Sequence, residues 1–215
     1  MGKWIDFARQ TIRMGEKCVY CGREIPEGDP VCMECAREEE ALCNHDGFIG
    51  GTLFAYRYGG IVRSLIHRFK YDDSPHVSLF MAQRMAEFLA PYDVNADMVT
   101  FVPIHETRKK IRGYDQSEFL ALHLGMLLEI PGKAALVRVR ETKPQYKLSA
   151  QERGRNVRGA FRLREDAEPK GKNILLIDDI LTTGSTAGEC MRTLTKAGAN
   201  VMLFTYAREF PGQER

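Results

Sequence analysis

This chain of 215 residues lacks the Gly-x-x-x-x-Gly-Lys-Ser/Thr segment with which P-loop nucleotidases cradle phosphates, so that class is excluded. It has no apolar run approaching the length of a membrane span, and no spanning helix is expected. Its start, MGKWIDFARQTIRMGEKC, has neither an uninterrupted apolar stretch nor a small-residue cleavage site. No secretory leader is read there, and a cytoplasmic location is expected. Low-complexity tracts and internal repeats are also missing. The formal net charge is only +2, too little for a global field that draws the protein onto nucleic acid. What is present is an ordinary 44% of hydrophobic residues, enough for one good-sized core with a small appendage.

The cysteines mark the appendage. Five of the six lie in the first 43 residues, and Cys18-Val-Tyr-Cys21 and Cys32-Met-Glu-Cys35 form two CxxC pairs ten residues apart. Each pair can bend two thiolates toward one ion, and Gly22 eases the first tight turn. Four thiolates make the closed tetrahedral shell of structural zinc. Disulfides are the alternative, disfavoured in a cytosolic chain. A redox pair is weaker, because neither CxxC follows a strand. Cys43 or His45 could replace one ligand, though an extra thiol beside a complete set is more often a spectator. Such a knuckle usually staples a segment too short to bury its own core. The expected division is residues 1–50, a short amphipathic helix (1–17, with Trp4, Ile5 and Phe7 on one side) plus the knuckle, and residues 51–215 as the main domain.

In the main domain Thr52–Tyr58 reads as a strand. Ile61, Leu65, Ile66 and Phe69 repeat at helical spacing, and a second helix is expected from Val77 to Leu89. Strands at 98–102, 135–139, 160–163, 174–177 and 201–206 then alternate with helices at 117–128, from Ser149 and at 185–196. Ser149 to Glu152 has the capping-box pattern. This alternation implies an α/β fold with a mainly parallel sheet flanked by helices.

The run from Asn173 to Cys190, NILLIDDILTTGSTAGEC, carries the chemistry. A buried strand leads into Asp178 and Asp179, whose adjacent carboxylates can accept hydrogen bonds from two cis hydroxyls of a ribose. Thr182-Thr183-Gly184-Ser185-Thr186 brings N–H groups and hydroxyls to a helix start, which suits a phosphate dianion. A plain strand–turn–helix with Ser/Thr capping is the bland alternative. Basic residues gather in two other places. One is Arg108 to Arg112, after the strand ending in Val102-Pro103-Ile104-His105. The other is the stretch from Arg138 to Arg158, with seven cations against two acids. Solvated faces are the ordinary explanation of such runs, but the first follows a strand end and the second lies between two strands, both ahead of the phosphate motif.

Four apolar residues, two acids and a Thr/Gly/Ser loop resemble the signature of type I phosphoribosyltransferases, which bind 5-phosphoribosyl-1-pyrophosphate (PRPP) with magnesium. The wider order of CxxC…CxxC, YRYGGIVRSLIHRFKY, VPIHETRKKIRGYDQSEFLA, RETKPQYKLSAQERGRNVRGAF and LLIDDILTTGSTA resembles the ComF family over nearly the whole chain. The resemblance implies a type I phosphoribosyltransferase-like, Rossmann-like fold with a small N-terminal zinc-binding subdomain. Asp178 and Asp179 would hold the ribose hydroxyls, and Leu181, Thr182, Thr183, Gly184, Ser185 and Thr186 the 5-phosphate. His105 and Arg112 would lie at the pyrophosphate. Arg140, Lys143 and Arg153 would act from a hood loop that closes over the leaving group. Two departures are visible: Asp115 stands where the family commonly has Asn, which adds a negative charge beside the pyrophosphate site, and the N-terminal region carries a single four-cysteine knuckle where longer members carry more cysteines. The implied role is in DNA uptake during natural transformation, beside a helicase-like partner. The alternative is a PRPP-sensing or single-stranded-DNA-binding adaptor without turnover, in which Tyr146 could stack on bases.

Overall fold

The computed structural model describes residues 17–26, 30–49, 51–71, 77–142 and 150–210. Among these, four strands form one parallel sheet in the order β1 (Leu53–Arg57), β6 (Asn200–Arg208), β5 (Asn173–Leu181), β2 (Met98–Phe101). Ile174, Leu175, Leu176 and Ile177 of β5 are all buried, as the unbroken apolar run requires of a strand covered on both faces. Because side chains alternate, Leu175 and Ile177 join a core with α3 (Val77–Leu89) and α5 (Gln116–Leu128). Ile174 and Leu176 join a second core with Ala187, Cys190 and Leu194 of α7 (Ser185–Lys196). The α/β architecture with helices on both faces is therefore as expected, and the boundaries of α3 and α7 match the sequence reading. No helix among the described residues is long and apolar enough to cross a membrane.

Four elements differ from expectation. The strands near 136 and 162 do not join the parallel sheet; β3 (Leu136–Arg138) and β4 (Phe161–Leu163) pair with each other antiparallel. The basic stretch between them is thus an excursion from one end of a ribbon, and it contains α6 (Ala150–Val157). Two further helices were not expected. In α1 (Met33–Leu42) only Cys35 and Glu39 are buried, so no apolar stripe announces it. In α4 (Glu106–Arg112) nothing is buried, and its ends define it. The His105 side chain accepts from the Thr107 N–H, Gly113 closes it at φ 81°, and acid-first, base-last charges suit the helix dipole. The expected helix over 1–17 lies outside the described residues except for Lys17, as do Lys143, Gln145, Tyr146, Lys147 and Ser149.

The cysteine-bearing segment shares its core with the sheet. Cys18, Tyr20, Cys32 and Cys35 are buried together with Val62, Leu65 and Phe69 of α2 (Gly60–Tyr71) and with α3. A buried carboxylate ties the layers. Glu39 on α1, 7% exposed, accepts from the Tyr20 and Tyr56 hydroxyls, both at 2.8 Å, and faces Arg84 Nε at 2.9 Å. The Tyr206 hydroxyl lies 3.3 Å from that of Tyr20. Glu39→Ala should cost roughly 1–3 kcal/mol, because it takes the acceptor from two buried hydroxyls, while Arg84 keeps its other carboxylate, Glu87, at 2.8 Å. Urea denaturation measures this, and a loss below about 1 kcal/mol would mean that the network adds nothing.

Candidate functional site

β5 runs four residues past the end of β2. The last bond between them is from the Val102 N–H to the Ile177 carbonyl at 3.0 Å, whereas pairing with β6 continues to Leu181 and Arg208. Asp178 and Asp179 therefore sit in regular strand geometry with one edge open. The pleat sends them to opposite faces. Asp178 lies on the Leu176 side and accepts from the Ser117 hydroxyl at the start of α5, at 2.9 Å. Asp179, on the Ile177 side and 5% exposed, has its Oδ2 2.8 Å from Lys70 Nζ of α2. Burial first, and the Asp179 charge second, push the Asp178 carboxyl up to about 7, against the pull of Ser117 and Lys70.

After Leu181 the chain turns through Thr182, Thr183 and Gly184 into α7. Gly184 has φ 73°, a left-handed conformation that side chains strain to adopt, and it places the first turn of α7 beside the acids. The first helical bond, from Gly188 N–H to the Gly184 carbonyl, is 2.7 Å long. N–H groups of that opening turn lie beyond the helix's own hydrogen-bond ladder, and the end carries the positive side of the dipole. Asp178, Asp179, Leu181, Thr182, Gly184, Ser185 and Thr186 all line one open cleft of about 230 Å³. Thr183 turns its hydroxyl to Ser185 instead, at 3.1 Å, and is not part of the lining.

The opposite wall is cationic. Arg108 and Arg112 come from α4, and Arg138 from β3. Arg112 donates to Gln116 Oε1 at 2.8 Å and lies 5.3 Å from the Tyr71 ring centre. Arg138 is 7% exposed, donates to the Thr142 hydroxyl, and has a buried Nε with no acceptor. Burial, with Arg108 and Arg140 nearby, pulls its pKa below the usual guanidinium value. Gln116 Nε2 is likewise buried and without an acceptor. Arg138 and Gln116 thus place two buried donors without acceptors on one cleft, a rare arrangement that calls for an explanation.

The other residues singled out in the sequence lie elsewhere. Arg140 donates to the carbonyls of Asn156 and Arg158, at 2.9 and 2.8 Å, and braces the base of the excursion rather than lining the cleft. Arg153 is half-buried on α6 and is not among the lining residues, and His105 caps α4. Lys143 lies outside the described residues. Sequence reasoning passed over Arg138, Gln116 and Ser117 as site residues. For Arg138 a signal existed: in β3 it shares the inward parity of Leu136, while Val137 between them is exposed. Asp115 does not press its charge on the cleft. Its carboxylate accepts from the N–H groups of Ile104, Ser117 and Glu118, at 2.8, 3.0 and 3.3 Å, and caps α5. Burial nonetheless raises it to about 6.

The four cysteine sulfurs of Cys18, Cys21, Cys32 and Cys35 all lie within 4.8 Å of one another, and Cys21 Sγ is 3.8 Å from Cys32 Sγ. Zinc–sulfur bonds of about 2.3 Å put tetrahedral sulfurs about 3.8 Å apart, so the set fits that ion. Gly22, at φ 72°, closes the first turn with its N–H on the Cys18 carbonyl at 2.8 Å. Cys32 and Cys35 open α1, so the second half of the knuckle is a helix start. Burial opposes ionisation of Cys18, but backbone hydrogen bonds from Cys32, Cys21 and Tyr20 bring it down to about 7. Cys43 and His45 stand outside this cluster.

These features define a parallel α/β protein with a strand-tip acid pair, a phosphate-type helix start and a four-cysteine knuckle. The chain belongs to the ComF family. It is 30% identical over 199 residues to Competence protein F of Haemophilus influenzae, covering 88% of this chain and 83% of that one. To Competence protein ComFC of Bacillus subtilis it is 26% identical over 202 residues, covering 90% and 78%. No protein-family model matches it. Among solved structures the fold resembles an adenine phosphoribosyltransferase, 17% identical with a TM-score of 0.43, covering 82% of this chain and 89% of that one.

Replacing Cys18 and Cys21 together by Ser should abolish stoichiometric zinc in the purified protein and lower its melting temperature. Unchanged metal content would refute the site. The raised Asp178 carboxyl sets a second expectation. The fold holds that proton more tightly than the unfolded chain does, so its contribution to stability falls as pH rises from about 4 to about 7. Asp178→Asn should therefore gain melting temperature over the original protein as pH rises from about 5 to 7.5, with Asp115 still supplying the lower part of the slope. A pH-independent difference between the two proteins would contradict it.

Proposed function

We propose that this protein binds PRPP with magnesium in the cleft and acts as a phosphoribosyltransferase-like protein of the ComF type. One observation carries the reading. An acid pair, a glycine-centred helix start and two buried donors without acceptors line a single cleft. Each part suits one portion of the ligand. Asp179 Oδ1 and the Asp178 carboxylate would accept from the ribose hydroxyls. Thr182, Ser185, Thr186 and the N-terminal turn of α7 would hold the 5-phosphate. Arg138, Arg112 and Arg108 would face the pyrophosphate, where charge grows as its bond to C1 breaks. Magnesium, held mainly by the ligand's own oxygens, would neutralise part of that charge. Arg140 would keep the excursion anchored at its base, and Lys143 and Arg153 would close from above.

The names of the relatives, competence proteins F and ComFC, support a role in handling DNA taken up by the cell. A second reading has its own support. Arg155 and Arg158 are exposed on the excursion and outside the cleft, which suits a single-stranded-DNA-binding adaptor that senses PRPP without turnover.

Calorimetry with PRPP and magnesium tests the assignment. Asp178→Asn combined with Asp179→Asn should abolish binding while zinc content stays the same, and Arg138→Met should weaken it by about tenfold or more, as loss of a buried charged donor does. A double variant that binds like the original protein would sink the assignment. Pyrophosphate release with added nucleobases, amines or single-stranded DNA then separates the enzyme from the adaptor.

A further inference from the structure

The last turn of α2 touches both ends of the molecule's chemistry. Arg68 donates to the carbonyls of Val19 and Tyr20, at 2.6 and 3.2 Å, and so grips the backbone between the first two cysteines. Phe69 is fully buried, and its carbonyl accepts from the Tyr114 hydroxyl, one residue before the Asp115 cap. Lys70 pairs with Asp179 at 2.8 Å, its side chain 21% exposed against 7% for the carboxylate. Tyr71 lines the cleft. Residues two apart on a helix project in different directions. One rigid turn therefore grips the knuckle with Arg68 and the acid pair with Lys70.

That second grip has a physical purpose. Two adjacent carboxylates repel each other, and a phosphorylated ligand adds more negative charge beside them. A largely buried carboxylate deprived of its cation is strongly penalised. Lys70 Nζ lies against Oδ2 of Asp179, and a carboxylate has acceptor sites on both oxygens, so the pair can also accept from a hydroxyl.

We propose that Lys70 is a positioning residue for the ribose-binding acid pair, and that Arg68 sets its place from the backbone of the four-cysteine knuckle. The inference rests on the reading of the cleft as a PRPP site. Four proteins test it: the original, Lys70→Met, Lys70→Arg and Arg68→Met. Each is measured by calorimetry with PRPP and magnesium, by zinc content, and by the carbon-13 signal of the Asp179 carboxylate without ligand. Lys70→Met should bind about tenfold more weakly, the scale on which partners that orient a ligating side chain act, and Lys70→Arg should recover most of the loss. Arg68→Met should keep its zinc, lose affinity to a smaller degree, and move the Asp179 signal in the same direction as Lys70→Met.

A Lys70→Met protein that binds as tightly as the original or tighter, or a loss that Arg does not recover, overturns the role of Lys70. An unchanged Asp179 signal in Arg68→Met overturns the tie to the knuckle. If that variant loses zinc, Arg68→Lys, which retains a donor, is measured in its place. Should the original protein fail to bind PRPP, the functional reading falls alone, and the ligand-free carboxylate signals decide this inference.

Discussion

Burial of β5 on both faces is the constraint from which the site is built. Leu175 and Ile177 press on α3 and α5 while Ile174 and Leu176 press on the α7 side, so the strand can neither slip by one residue nor tilt without exposing one set. Its neighbour β2 stops at Phe101, and β6 does not stop until Arg208. The next two residues of β5 therefore remain in strand geometry while the sheet opens beside them, at the carboxyl end where parallel sheets leave a crevice. Ser117 at the head of α5 and Gly184 at the head of α7 reach the same spot because both helices are packed on this strand.

Electrostatics sharpen what packing places. Asp178 and Asp179 are too close to share a partly dry site as two bare anions, and the structure answers with Ser117 on one and Lys70 on the other. Across the cleft the balance is reversed. Arg138 is buried over the Phe161 ring, 5.3 Å from its centre, with a hydroxyl and no carboxylate among its described contacts. Such a guanidinium, buried without a paired anion, is costly to the fold. Glu189 of α7 accepts from the Gly159 N–H at 2.6 Å, which ties the end of the basic excursion to the helix whose start faces the cleft.

The knuckle belongs to the same mechanical body. Cys18, Tyr20, Cys32 and Cys35 are part of the main core, and Glu39 draws hydroxyls from the knuckle and from β1 onto one carboxylate. A segment this short has little apolar surface of its own, so the shared core does work that a separate core would otherwise do, and an ion held by the four cysteines would add to it. The buried polar network fixes how the knuckle sits on the sheet.

Much of this was written in local sequence, and the reason is range. The apolar run before Asp178, the Gly184 turn, the α7 stripe and the paired CxxC spacing each depend on residues within a few positions of one another, and each was legible. So were α2 and α3, whose apolar residues recur at helical spacing. The helices α1 and α4 were not, because α1 buries a carboxylate and α4 buries nothing. Which cations reach the cleft was decided only in three dimensions. Arg138 and Arg140 share one parity of β3, yet the strand ends at Arg138, so one guanidinium turns into the cleft and the other onto the carbonyls of Asn156 and Arg158. Lys70 meets Asp179 across more than a hundred residues of sequence, and no local pattern encodes a partner at that distance. The chain alone determined the chemical groups and the strand and helix that present them; folding decided which of the many charged side chains face them, because that depends on where packed elements end.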